Sequence, residues 1–216
     1  MISFSAKDLC TRSCMQLRMF ADHPELRPKP NFNQETGEIF QHYIASKTDG
    51  LIGEEMRGSY IQDNICINFA NDIVTNDYIL ETKSVSKDRP VEDWYFNSSI
   101  LQCAIYKSLL SKCGGELVTA TFFIELGNPL IKTKVKPNID YLLHFGEDTY
   151  KINVTDTDRI IDFILRKAKA SLTWTEAKNF DYHYKHLEYE TLKEYFTYEK
   201  VTNICKSESN TESKVA

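Results

Sequence analysis

Two carboxylates and a lysine in residues 71–83 have the types and the spacing to bind a divalent cation. This segment reads NDIVTNDYILETK, with apolar and β-branched residues on both sides of its centre. If residues 76–77 form the turn of a tight hairpin, Asp72 lies directly opposite Glu81. Because strand side chains alternate between faces, Asp72, Glu81 and Lys83 then project from one side of the sheet.

Opposed carboxylates are unfavourable in a sheet unless something neutralises them, because like charges in an antiparallel pair repel each other. Hard divalent cations prefer carboxylate oxygens, so a cation between Asp72 and Glu81 would turn the repulsion into ligation. Lys83, one pleat along, can contact a phosphate oxygen or orient a water molecule. The alternative is an exposed hairpin whose charges face solvent, since short D…ExK patterns are common by chance.

Composition and charge restrict the class of protein. The 216 residues are 42% hydrophobic and 12% aromatic, which is typical of a soluble globular protein. No apolar run approaches the length of a membrane span. The first residues lack the apolar core of a signal peptide, so we expect a cytoplasmic protein without a membrane partner. The net charge of −5 argues against bulk electrostatic binding of nucleic acid, so DNA contacts would come from local basic patches.

The order of helical and strand patterns predicts one α/β domain over residues 1–205, followed by a disordered polar tail over 206–216. We expect a central mixed sheet flanked by helices, and a helical C-terminal portion. The apolar segment 117–126 is expected at the centre of the sheet. The expected helices are 5–20, 35–46, 98–112, 159 onward and 175–198, and the other expected strands are 54–60, 64–74, 79–85, 141–145 and 149–154.

One of these helices carries a polar pair on one face. Gln102 and Tyr106 are four residues apart, so their side chains lie on the same side of the helix over 98–112. Such a pair is ordinarily a satisfied polar contact inside a core. Because the helix follows the hairpin by about twenty residues, we expect it to pack beside the strands and to turn the pair towards Asp72 and Glu81.

With these residues in place, the chain resembles the PD-(D/E)XK nuclease superfamily, and within it the RecB-like branch. That branch includes lambda-type exonucleases and the RecB-like nucleases of CRISPR adaptation. The matching residues are Asp72, the run Glu81-Thr82-Lys83, and Gln102 with Tyr106. The opening FSAKDLCTRSC is similar to the S-x-x-x-L-x-x-C first helix of the branch. The resemblance covers roughly residues 4–126, and the C-terminal third matches less well.

The resemblance implies a restriction-endonuclease-like core and metal-dependent hydrolysis of DNA. Asp72 and Glu81 would bind Mg²⁺ or Mn²⁺ together with the main-chain carbonyl of Thr82, and Lys83 would help to activate water. The helix with the Gln-x3-Tyr pair would contact DNA. Exonuclease action on double-stranded ends or single strands in recombination, repair or replication is the expected role, with a homo-oligomer or a partner protein of those processes. A site-specific endonuclease and a catalytically inactive DNA-binding or partner-binding module are the alternatives.

The family pattern adds a His or Glu ligand from the preceding helix, four positions after a glycine. Here Gly37 puts Gln41 at that position and His42 one residue later. We predict His42 as the ligand, with Glu38 and Gln41 as alternatives, and a surface histidine fits equally well. The iron–sulfur cluster of some relatives needs three cysteines near the C-terminus. Only Cys205 occurs there, so no cluster is expected.

Basic residues in two loops are candidate phosphate contacts on such a fold. Lys87 and Arg89 follow the hairpin, and Lys132 and Lys134 lie in the lysine-rich run KTKVK. Without the resemblance, each of these residues is an ordinary solvated charge.

Overall fold

One mixed sheet with helices on both faces forms the structure, which confirms the predicted α/β class. The computed structural model describes residues 1–29, 32–86, 90–120, 131–136, 138–184 and 188–201. Its elements are β1 (Ile2–Ser5), α1 (Ala6–Thr11), α2 (Cys14–Asp22), α3 (Phe32–Ala45), β2 (Leu51–Gln62), β3 (Ile65–Thr75), β4 (Tyr78–Lys83), α4 (Asp93–Lys112), β5 (Glu116–Ala120), β6 (Ile131–Lys134), β7 (Asp140–Phe145), β8 (Asp148–Val154), α5 (Thr157–Ala170), α6 (Trp174–Tyr184), α7 (Glu188–Leu192) and β9 (Phe196–Val201).

The strands of the described residues follow the order β6-β5-β2-β3-β4-β7-β8-β9, and β1 runs parallel to the start of β3. At the centre, β2, β3 and β4 form the predicted antiparallel meander. A second parallel pair joins β4 to β7, and β8 and β9 continue the sheet antiparallel. Asp63 and Asn64 make the turn between β2 and β3 with φ angles of 50° and 63°. Such positive values match the twist of a two-residue hairpin.

The predicted register of the central hairpin is confirmed. Its ladder pairs are Ile73 with Leu80 and Val74 with Ile79. This is the pairing that a turn at residues 76–77 requires, and one further step along it leads to Asp72 and Glu81.

Beyond that ladder, β3 and β4 separate. β2 pairs with β3 along nearly all of its length, whereas the opposite edge of β3 pairs with β1 over 65–68 and with β4 at 73–74. In the described part of the chain, no strand pairs with residues 69–72 on that edge. An opening therefore lies at the centre of the sheet.

Two apolar clusters place helices on opposite faces. The larger cluster lies beneath α4 and α5 and includes Val74 and Ile79. The smaller cluster lies beneath α3 and includes Ile73 and Leu80. Because neighbouring strand residues point to opposite faces, α3 covers the face opposite to α4 and α5.

The single helix expected over residues 5–20 is wrong, because the chain forms two helices there. α1 ends at Thr11 and α2 begins at Cys14. Ser13 caps α2 in a reciprocal pair with Gln16, in which each side chain accepts a hydrogen bond from the main chain of the other. This capping box satisfies N–H groups at the break and favours a new helix start.

Two expectations about the sheet are also wrong. β5 does not lie at the centre: it is second from the edge, between β6 and β2, and residues 121–130 lie outside the described residues. The C-terminal portion is helical over α5, α6 and α7, as predicted, but the helical stretch expected over 175–198 is wrong at its end, where the edge strand β9 begins at Phe196. The predicted tail over 206–216 lies outside the described residues. No helix among those described is both long and apolar enough to cross a membrane.

Candidate active site

Asp72 and Glu81 flank the opening where β3 and β4 separate. The Asp72 carboxylate accepts hydrogen bonds at Oδ2 from the main-chain N–H of Thr82 at 2.8 Å and from the Thr82 hydroxyl at 3.1 Å. The side chain of Asp72 thus occupies an acceptor position that a continued ladder would give to a main-chain carbonyl. These two hydrogen bonds hold the Asp72 carboxylate against β4 in the gap where the strands separate.

Glu81 is a buried carboxylate with one satisfied oxygen and one unsatisfied oxygen. Its Oε1 accepts hydrogen bonds from Lys83 Nζ at 2.5 Å and from Gln102 Nε2 at 2.6 Å. Its side chain is only 2% exposed. Among the described residues, Oε2 has no hydrogen-bond partner. An unpaired buried carboxylate oxygen is costly, so Oε2 is a position where a cation would stabilise the protein.

The charges around Glu81 are strongly interdependent. Burial and then the Asp72 charge raise the pKa of Glu81, Lys83 offsets part of the rise, and the pKa that results is about 7. Burial alone would lower the pKa of Lys83, but Glu81 and Asp72 outweigh burial and raise that pKa above its ordinary value. Lys83 is therefore protonated at neutral pH and acts as a fixed positive charge, not as a base.

The pair Gln102 and Tyr106 lies in the wall of the cleft, where both side chains are buried. Gln102 holds Glu81, as its hydrogen bond shows. The Tyr106 ring packs against Phe69 of β3 with 6.1 Å between ring centroids. Direct contact of these two residues with DNA stays a prediction, because their observed contacts are within the protein.

A cleft of about 570 Å³ opens in front of the carboxylates. It is lined by the predicted residues Asp72, Glu81, Thr82, Lys83, Gln102 and Tyr106, and by Glu38 and Gln41 of α3. Residues from α3 and α4 share this cleft although the two helices cover opposite faces of the sheet, because the opening between β3 and β4 joins the faces.

The predicted helix ligand His42 does not line the cleft. His42 Nδ1 lies 2.5 Å from Glu54 Oε2 on β2. The alternatives Glu38 and Gln41 do line the cleft, and Gln41 Nε2 donates to the main-chain carbonyl of Asp72 at 3.2 Å. Glu38 is therefore a charged side chain of α3 that lines the cleft, although among the described residues it does not form a three-residue metal group with Asp72 and Glu81.

Of the basic residues predicted to contact DNA, Lys132 and Lys134 are not brought to the cleft. Lys132 and Lys134 lie on the edge strand β6, and β5 and β2 separate β6 from β3. At about 4.8 Å between neighbouring strands, this places them roughly 14 Å from β3. Lys134 pairs with Glu116 at 3.1 Å. Lys87 and Arg89 lie outside the described residues, as does Cys205.

Several cleft residues were absent from the predicted site: Lys7 and Thr11 of α1, and Glu55 and Arg57 of β2. The register of β2 with β3 puts Glu55 opposite Asp72, between the pairs on either side. Glu55 has a φ of 48°, in the left-handed region that non-glycine residues rarely adopt. The alternation of β2 in the predicted meander was a signal that could have identified Glu55 and Arg57.

The residues at the opening fit a divalent cation with few protein ligands. Among the described residues, no group of three His, Cys, Asp or Glu side chains is arranged to hold a metal. Mg²⁺ commonly binds through one or two carboxylates and keeps several waters. Asp72 and the unpaired Oε2 of Glu81 meet that smaller requirement, and the Thr82 carbonyl stays a predicted further ligand.

Comparison with known proteins does not assign a function to this chain. No protein-family model matches the chain, and a search of curated proteins found no match. The chain is similar to a solved structure described as "Crystal structure of SSO0001", with 16% sequence identity, coverage of 89% of this chain and 86% of that chain, and a TM-score of 0.45. A similarity of that size does not transfer a function, so the site is interpreted from its own residues.

Proposed function

We propose that this chain is a Mg²⁺- or Mn²⁺-dependent deoxyribonuclease that hydrolyses phosphodiester bonds at the Asp72–Glu81–Lys83 site. The observation that carries the proposal is the buried, unpaired Oε2 of Glu81 beside a second carboxylate and a protonated lysine. Carboxylates draw in a cation, and the lysine adds a positive charge for a phosphate. The carboxylates alone, or the lysine alone, would not indicate phosphate chemistry.

Each residue has a distinct task in this proposal. Asp72 and Glu81 hold the cation, and Glu38 is placed to complete its surroundings from α3. When bound, a divalent cation of this kind polarises the phosphate and lowers the pKa of water. Lys83 stabilises the negative charge that develops on the phosphate. Gln102 keeps the Glu81 carboxylate in place through its hydrogen bond to Oε1.

Exonuclease action in the cytoplasm, in recombination, repair or replication, is the role that we propose for this activity. Its support is the resemblance of Asp72, Glu81-Thr82-Lys83 and the Gln-x3-Tyr helix to the RecB-like nucleases. The volume of the cleft, about 570 Å³, would admit a phosphodiester and an adjoining sugar, and binding so short a part of a strand does not need a large basic surface. Such a surface would also be unusual at a net charge of −5.

Incubation with linear and circular DNA tests the proposal, with Mg²⁺, Mn²⁺ or EDTA present. We expect the wild-type chain to degrade linear DNA in Mg²⁺ or Mn²⁺ and to leave both substrates intact in EDTA. Glu81→Gln should reduce the rate by at least about 100-fold, because it removes a ligand of the cation that stabilises the reacting phosphate. The control is Glu116→Gln, the same change at an exposed glutamate that also pairs with a lysine. Intact DNA with wild type in every metal would refute the nuclease.

A catalytically inactive DNA- or partner-binding module is the second candidate function. The observation in its favour is that Lys83 and Gln102 already satisfy Glu81 Oε1, while the described residues contain no three-residue metal group. The two candidates differ in one result. An inactive module binds DNA equally with and without the cation and leaves it intact, whereas the nuclease cuts it.

A further inference from the structure

A second cavity, of about 640 Å³, lies beside the catalytic cleft. We call it the aromatic pocket, and its lining is mainly apolar, with Phe40, Val85, Val91, Phe96, Phe145 and Tyr150. Pockets of this volume with aromatic walls are typical small-ligand sites. The proposed hydrolytic reaction does not use it.

The aromatic pocket and the catalytic cleft share their walls. Ser84, the residue after Lys83, lines both cavities. On α3, Phe40 lines the pocket and its neighbour Gln41 lines the cleft. On α4, Phe96 lines the pocket and its neighbour Tyr95 lines the cleft. A ligand held in the cleft therefore lies next to the pocket, and none of the described elements separates the two.

A continuous row of aromatic rings leads from one cavity to the other. Trp94, which is 65% exposed in the cleft, contacts Tyr95 with 5.8 Å between centroids. Tyr95 contacts Phe145 at 5.4 Å, Phe145 contacts Phe96 at 5.2 Å, and Phe96 contacts Tyr150 at 5.1 Å. Rings held by one another in this way offer preformed faces and edges to a flat ligand.

The charges of the two cavities differ in a way that suits the two halves of a nucleotide. The cleft contains three basic side chains, Lys7, Arg57 and Lys83, together with the carboxylates of Glu38, Glu55, Asp72 and Glu81. The described residues that line the pocket include no lysine or arginine, but they include Asp93, Glu147 and Asp148, of which Asp148 pairs with Lys200 at 2.8 Å. Carboxylates repel phosphate and accept hydrogen bonds from N–H groups. The pocket thus excludes the backbone and suits a base with exocyclic amines.

We propose that the aromatic pocket binds one unpaired nucleobase of the strand whose phosphate lies in the cleft. This inference rests on the proposed nuclease function and adds a preference to it. A base in a duplex is stacked and paired, so it reaches the pocket only from a single strand or a frayed end. The chain therefore selects single-stranded ends by holding a base next to the phosphate that is cut.

Binding of single-stranded oligonucleotides in EDTA tests this without hydrolysis. The probe is a fluorescein-labelled 12-nucleotide strand, followed by anisotropy, and a series in which one position at a time is abasic. Base–aromatic stacking contributes about 1–3 kcal/mol, so we expect one position whose loss weakens binding about 5- to 150-fold. Abasic changes at most other positions should have smaller effects.

A blocking variant assigns that position to the pocket. Val91 lines the mouth and is 40% exposed, so Val91→Trp should fill the pocket without disturbing the core. It should weaken binding of the intact strand at least fivefold and abolish the penalty at the sensitive abasic position. The matched control is Val118→Trp on β5, where the valine is 49% exposed and away from both cavities. This control should bind like wild type.

Two results would overturn the inference, and they separate it from the proposed function. A flat abasic series with DNA hydrolysis retained in Mg²⁺ refutes the base pocket alone. Absence of both oligonucleotide binding and hydrolysis refutes the pocket and the nuclease together. A sensitive position that persists in Val91→Trp also refutes the pocket, because the base is then held elsewhere. If the aromatic pocket instead joins two copies of the chain, Val91→Trp changes the molecular mass measured by light scattering, while the abasic series stays flat.

Discussion

Replacing Glu81 by glutamine should stabilise the metal-free protein at alkaline pH, because the ionised form of this buried carboxyl is unfavourable in the folded protein. The pKa of Glu81 rises from its ordinary value of 4.5 to about 7, mainly through burial and then through Asp72. A rise of that size corresponds to about 3 kcal/mol of unfavourable free energy when the carboxyl ionises in the folded protein. Lys83 stays protonated over this pH range, so its attraction for the Glu81 carboxylate is already part of that pKa.

The sign of the pH dependence follows from the two pKa values. Between pH 4.5 and about 7, the folded state binds more protons at Glu81 than the unfolded state does. The free energy of unfolding therefore falls as the pH rises through that range, and the loss is complete above it. Glutamine cannot ionise, so Glu81→Gln should match wild type near pH 4 and exceed its free energy of unfolding by about 3 kcal/mol at pH 8.

Urea unfolding in EDTA at pH 4, 6 and 8 measures this difference directly. Glu116→Gln is the control, since that glutamate is 61% exposed and its change should shift stability by less than about 0.5 kcal/mol at each pH. Added Mg²⁺ should stabilise wild type but not Glu81→Gln, because a ligand that binds only the folded state adds to its stability. If Glu81→Gln is no more stable than wild type at pH 8, or if the difference in free energy of unfolding does not change with pH, ionisation of Glu81 does not destabilise the folded protein and the prediction is wrong.

Three further predictions concern the parts of the fold that hold the site. Gly58→Ala should lower the free energy of unfolding, measured in urea, by about 1–3 kcal/mol, because the added Cβ would lie 2.5 Å from the Phe69 ring. The control Gly37→Ala, with open space around it, should be neutral or stabilising. Equal changes in the free energy of unfolding for the two variants would contradict this prediction. Glu55→Gly should add about 1 kcal/mol by relieving the left-handed backbone at φ 48°, and a loss of stability would show that the side chain matters more. Asp181→Ala should cost about 1–2 kcal/mol and reduce helical circular dichroism, since Asp181 accepts two N–H bonds at the start of α2; an unchanged melting curve would contradict it.

The central hairpin could be predicted because local chemistry determines it. A two-residue turn allows one register, and β-branched residues on both sides define the strands, so Asp72 and Glu81 followed from counting. The same applies to Gln102, which helical spacing put on the site-facing side of α4. These features depend on residues that are close in the chain.

The features that the sequence did not reveal depend on packing between distant segments. His42 and Glu38 lie one turn apart on the same face of α3, and which of them reaches the cleft depends on where the helix lies along β3 and β4, which is set by tertiary packing. In β5, Leu117 is buried and Val118 is exposed, so its apolar residues do not indicate a central strand, and the rest of the apolar segment 117–126 lies outside the described residues. The run FTYEKV of β9 alternates in the way that a strand does, but its neighbours in sequence are helical, and its pairing with β8 depends on the tertiary structure.

Anomalous diffraction from crystals soaked in Mn²⁺ shows directly whether Asp72 and Glu81 bind a divalent cation. We predict a single strong anomalous peak at the opening between β3 and β4, within about 2.1 Å of carboxylate oxygens from both Asp72 and Glu81. That peak should be absent from Glu81→Gln crystals and present in Glu116→Gln crystals. A peak elsewhere, or side chains of Asp72 and Glu81 that bind no Mn²⁺ in the wild-type protein, would contradict the claim that this pair is a cation site.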